Sequence, residues 1–171
     1  MIKLLKMAAF VVLFLFYPLA ANACNVRSYA KAYVNKIGDV VGGKKPAIVI
    51  EKGIDDSRSG FYEDGVIHIF KGDYTELCIE DVPFLKSVIA HEYAHHLENK
   101  LKKVLNLHGE RLAYVGEHAI GDEILGDAFY DNDIKRSDIA AYDKLKEMLK
   151  TKKIKSNSIQ EDGVIFMKAK K

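Results

Sequence analysis

An apolar run, Phe84-Leu85-Lys86-Ser87-Val88-Ile89-Ala90, leads without a break into His91-Glu92-Tyr93-Ala94-His95-His96. No Gly or Pro falls between Phe84 and Leu107. Leu85, Val88, Ile89, Leu97, Leu101, Val104 and Leu105 recur at the 3.6-residue spacing of a helix packed on a core. Asp81 is placed to cap that helix and Pro83 to occupy its first turn. The chain must therefore build its interior around a helix that carries His91, Glu92 and His95 among its ionisable side chains. His91 and His95, four apart, share one face of it. Glu92 lies about 100° further round. The residues spell HExxH, a pattern that offers two imidazoles to one zinc ion and a carboxylate to a water beside it. Zinc so bound needs a third protein ligand and keeps a fourth position for water. Glu92 can then take the proton of that water and pass it to a leaving amine. His96 points about 100° away from His95 and reads as a satisfied or exposed histidine rather than a ligand.

The third ligand has to come from elsewhere in the chain. An extension His-x-x-Gly-x-x-His is excluded, because Glu98 and Leu101 stand at its later places. The segment Gly121-Asp122-Glu123-Ile124-Leu125-Gly126-Asp127-Ala128-Phe129-Tyr130 offers Glu123 and Asp127, four apart on one helical face. One can bind the metal while the other hydrogen-bonds a ligand imidazole and sets its tautomer. Glu117, Asp122, His108 and His118 are reserves. HExxH followed by Glu-x-x-x-Asp-Ala-Phe resembles the gluzincin zinc metallopeptidases, in particular the branch of the CAAX prenyl proteases and the bacterial heat-shock membrane proteases. The resemblance spans roughly Val82 to Tyr130. It implies that Glu123 is the third zinc ligand and that Asp127 braces the site. The membrane helices of that branch are missing, so the chain reads as a minimal, soluble version. Gly121 and Gly126 flank Glu123 and would allow close helix packing near the metal.

Residues 1–23 have the form of a secretory signal peptide. Lys3 and Lys6 make a basic start, Met7 to Tyr17 is apolar, Pro18 ends the stretch, and Ala21-Asn22-Ala23 is a small-x-small cleavage pattern. The apolar stretch is too short for a comfortable membrane span. Cleavage after Ala23 would leave residues 24–171 as one secreted or periplasmic domain, with no stable membrane span. A lipoprotein at Cys24 fits less well, since Ala21 stands where Leu usually precedes a lipidated cysteine. Cys24 and Cys78 are the only two cysteines, and an oxidising compartment makes a disulfide between them reasonable. Loss of Lys3 and Lys6 takes the formal charge from +2 to zero, which leaves no electrostatic case for nucleic acid. The lysines clustered after Lys144 read as a solvated face and tail.

The remaining pattern predicts a helix over Arg27–Val41 stopped by Gly42-Gly43, and a strand over Ala47–Ile50. It also predicts a hairpin over Phe61–Phe70 that turns at Asp64-Gly65. A helix follows over about Ser137–Lys150, and a short strand or docked tail over Gly163–Met167. Helix, three strands, then helices make an α+β domain. The resemblance implies a zincin-like arrangement: a small, mostly antiparallel sheet on the active-site helix and the glutamate-bearing helix. Val66–Phe70 would then be the edge strand to which a substrate backbone adds.

These readings converge on a zinc-dependent endopeptidase acting on peptides or proteins. His91, His95 and Glu123 hold the ion, and Glu92 is the general base. Tyr114, His118, Tyr130 and Tyr142 are candidates to stabilise the oxyanion. A deformylase with Cys78 as ligand is disfavoured by the missing glycine-rich motifs. A non-catalytic envelope protein that binds a partner in the cleft is the alternative, but nothing structural requires an intact Glu92. Substrate and oligomeric state are not legible in the sequence.

Overall fold

A computed structural model of the chain describes residues 25–51, 58–70, 82–126 and 134–156. Residues 1–23, where a signal peptide is expected, Cys24, Cys78, Asp81, Asp127, Tyr130 and the strand expected at 163–167 lie outside the described residues. The first helix, α1 (Val26–Val41), begins where Asn25 Oδ1 accepts the Ser28 N–H at 3.2 Å. This capping bond satisfies one of the donors that a helix start leaves open. Ala30, Val34, Ile37 and Val41 form its buried stripe. It ends at Gly42 and Gly43, both with positive φ (70° and 86°).

Three strands follow: β1 (Ala47–Glu51), β2 (Gly60–Glu63) and β3 (Val66–Phe70). Asp64 (φ 46°) and Gly65 (φ 84°) close the β2–β3 hairpin with the paired positive φ values that suit strand twist. The sheet order is β1-β3-β2, with β1 parallel and β2 antiparallel to β3. The sheet is thus mixed, not mostly antiparallel. The strand expected at the edge, Val66–Phe70, is the central one, because β1 pairs with its free side. Ile67 and Ile69 alternate into the core, as period-2 strand geometry requires.

The helix that carries the HExxH residues is α2 (Val82–His96). Leu85, Ile89 and Tyr93 form its fully buried stripe, which Leu97 continues just past its end. The single long helix expected through Leu107 is divided at Leu97, and α3 (Glu98–Leu105) continues from there. Asn106, with φ 54°, closes α3 in the left-handed region, where Asn is among the few side chains accepted. Next come α4 (Gly109–Ile120) and a π-helical turn over Gly121–Leu125, which Gly126 (φ 76°) ends. The last described elements are α5 (Ile139–Lys150) and α6 (Lys153–Ser156). The domain is α+β, with α2 and α4 its most extensive helix pair. Among the described residues no helix is long and apolar enough to cross a membrane.

Candidate metal centre

Two glycines set the geometry. A Cβ on Gly116 would overlap the Cβ of Ala94, so α4 can lie directly on α2 only with glycine there. A Cβ on Gly60 would come within 2.7 Å of the His68 carbonyl and 2.9 Å of Val88 Cγ1, so β2 can rest on α2 only without one. A cleft of about 950 Å³ opens among α2, α4 and β2, lined by His91, Glu92, His95, Tyr62, Glu110 and Glu117 together with neighbouring residues.

His91 and His95 turn their rings into this cleft, with centroids 5.2 Å apart. Glu110 stands across from both. Its Oε2 is 3.1 Å from His91 Nε2 and its Oε1 is 3.4 Å from His95 Nε2. One donor atom from each of the three lies within 4.8 Å of the others. Behind His91, Nδ1–H donates to Glu117 Oε2 at 3.0 Å, and Ser87 Oγ donates to the other carboxylate oxygen. Glu110 and Glu117 are seven apart, so one face of α4 presents both.

Glu92 is only 7 % exposed and accepts the main-chain N–H of Tyr62. Burial pushes its pKa above the ordinary value, with the His91 charge opposing. For His91, burial lowers the pKa, but the Glu117 hydrogen bond and the charges of Glu92, Glu117 and Glu110 together raise it. His95 is lowered by burial and by the positive charge of His91. Burial likewise lowers His96.

The HExxH residues come together as expected. Glu123 does not join them: it sits in the π-helical turn, 3.4 Å from Lys150 Nζ and 3.6 Å from Lys146 Nζ. The carboxylate that faces both histidines is that of Glu110, which sequence reasoning passed over. The signal available for it was the pair Glu110 and Glu117 at helical i, i+7 spacing. Of the reserves, Glu117 braces His91, while Asp122 accepts from Tyr142 and Lys146. Tyr114 and His118 meet edge to face with centroids 4.8 Å apart. With Tyr142 engaged by Asp122, none of these three lines the cleft. His68 pairs with Glu51 and stacks on Phe61, as befits a strand-face residue.

A scan against protein-family models, a search of curated proteins and a search of solved structures returned no match to this chain.

Proposed function

We propose that this chain is a zinc-dependent endopeptidase of the HExxH kind, gluzincin-like in its site, with Glu110 as the third ligand. The observation that carries the reading is the convergence of His91 Nε2, His95 Nε2 and the Glu110 carboxylate in a cleft beside the buried Glu92. The donor set fits zinc on chemical grounds. Glu117 engages the Nδ1 proton of His91, so in the neutral ring the Nε2 lone pair faces Glu110. A lone pair and a carboxylate 3.1 Å apart repel unless a proton or a cation lies between them. Two imidazole nitrogens and one carboxylate oxygen are the ligand types of catalytic zinc sites that keep one position open.

When bound, zinc supplies a Lewis acid that activates water and polarises a peptide carbonyl. Glu92 does the proton work. Burial makes its carboxylate a stronger base than an exposed one, and the Tyr62 N–H keeps it oriented. Water adds to the carbonyl carbon and gives its proton to Glu92. Glu92 returns that proton to the nitrogen as the C–N bond breaks. Glu117 holds His91 in the tautomer that leaves Nε2 free. Beside the cleft, β2 is an edge strand among the described residues. Ser59 O accepts from Phe70 N, so Ser59, Phe61 and Glu63 face β3 while the main-chain groups of Gly60 and Tyr62 face away from it. With the Tyr62 N–H given to Glu92, an extended peptide can align there through the Gly60 main-chain groups and the Tyr62 carbonyl. Residues 1–23 support a secreted or periplasmic setting.

The test is metal content by elemental analysis, paired with Glu92→Gln on a peptide library. About one zinc per chain is expected. The variant should keep zinc and lose roughly 10²–10⁴-fold in cleavage rate. Equal cleavage by both proteins would overturn the mechanism. A chain that takes up no zinc would favour the non-catalytic envelope reading, with a proton shared between His91 and Glu110.

A further inference from the structure

The second histidine of the His95-His96 pair is not idle. His96 follows Glu92 by four residues, so both lie on one face of α2. That face meets β2, and both residues grip the same strand residue, Tyr62. Glu92 accepts the Tyr62 main-chain N–H. His96 Nδ1 is 3.0 Å from the Tyr62 hydroxyl, with the two rings edge to face at 5.4 Å. On its far side, His96 Nε2 is 2.8 Å from the Lys44 carbonyl. A carbonyl only accepts, so Nε2 carries the proton, and Nδ1 is the acceptor for the Tyr62 O–H. Tyr93 packs edge-on against the same ring at 5.4 Å. The imidazole thus ties α2 to β2 and to the loop between α1 and β1.

We propose that His96 is a positioning residue for Glu92, acting through Tyr62, a role that rests on the peptidase reading above. The Tyr62 hydroxyl fixes the strand residue at its outer end, and the same residue's N–H fixes the carboxylate. Loosening the first bond lets β2 drift along α2, and Glu92 loses its donor. Among the described residues β2 pairs on its other side with β3, so this clamp and the Gly60 contact with Val88 together hold the strand against the helix at the cleft.

The experiment compares wild type, Tyr62→Phe, His96→Phe and His96→Gln. It reads the Tyr62 amide exchange rate, the NMR signal of the Glu92 carboxyl carbon, and peptide cleavage. Tyr62→Phe keeps the ring and the main chain and removes only the hydroxyl, so it folds even if His96→Phe does not. The Tyr62 amide should exchange about tenfold faster in Tyr62→Phe, and the Glu92 carboxyl signal should move. In the same variant kcat should fall about tenfold with KM little changed. His96→Gln, whose amide keeps one acceptor and one donor, should recover part of each effect. Wild-type amide exchange and carboxyl signal in Tyr62→Phe would overturn the proposal. So would faster exchange with an unchanged kcat. If the wild-type protein cleaves no peptide, the peptidase reading fails and takes the catalytic role of His96 with it. The exchange and carboxyl signals then report separately whether the clamp itself is present.

Discussion

A neutral imidazole donates from one nitrogen and accepts at the other, so the partner of each nitrogen decides the role of the ring. For His91 the partner of Nδ1 is Glu117, and Nε2 is left for Glu110 or a cation. The same reasoning reorders three glutamates, of which the sequence favours Glu123, holds Glu117 in reserve and passes over Glu110. With the proposed ligand set, Glu110→Gln should remove most zinc affinity, because it replaces a carboxylate that both Nε2 atoms face. Glu117→Gln should cost about 10–100-fold, as loss of a ligand's outer partner usually does. Glu123→Gln should leave zinc binding unchanged, since its carboxylate meets Lys146 and Lys150 instead. Competition with a chromogenic chelator measures all three. Strong loss with Glu123→Gln and none with Glu110→Gln would restore the ligand set read from the motif.

At the scale of elements, the site depends on how closely α4 lies on α2. Gly116 stands against Ala94, and α4 carries both Glu110 and Glu117. Gly116→Ala must push the helices apart or bend one of them, at a cost of about 1–3 kcal/mol as for other overpacked cores. Alanine is the better helix former, so an isolated-helix argument predicts the opposite sign. Urea unfolding decides between them, and zinc affinity should fall together with stability. A more stable Gly116→Ala protein with full zinc affinity would show that the close approach is not needed. The glycines singled out beside Glu123 act differently: Gly126 ends the π-helical turn in the left-handed region, and the close packing falls to Gly116.

For the molecule as a whole, two of the polar ties that join α5 to the body give it a response to pH. Arg111 grips Asp138, with Nε 2.9 and 3.0 Å from the two carboxylate oxygens. The Arg111 hydrogen bonds hold the Asp138 carboxyl below its ordinary 3.8. A lowered carboxylate pKa gives stability that is present above the unfolded value and lost as pH falls through the folded one. Acid should therefore weaken the fold below about pH 4, and Asp138→Asn should flatten that limb while lowering stability at pH 7. At the other end, burial and the hydrogen bond to Asp122 raise the Tyr142 hydroxyl from 10.0 to about 12. Its contribution is complete below pH 10 and is lost as pH rises toward 12. Chemical unfolding across that range should show a shallower decline in Tyr142→Phe than in wild type. Parallel slopes for the two proteins would rule out Tyr142 as the group responsible.

What the sequence by itself determined is what depends on neighbours along the chain. The face shared by His91 and His95, the Asp64-Gly65 hairpin, the Gly42-Gly43 stop and the apolar stripe of α1 all follow from helix and strand periods acting over a few residues. The sheet order, the division of the long helix at Leu97 and the choice among the acidic side chains do not. The order β1-β3-β2 depends on which strands meet across the chain, and no local period encodes that. Glu110 carries no motif, and it meets His91 and His95 only because α4 lies on α2 where Gly116 permits it. Glu123 continues a pattern that looks right, yet a π-helical turn and two lysines of α5 take it elsewhere. A donor's chemistry is local, but which donors share a site is a matter of distance through space, and only the packing of helices decides that.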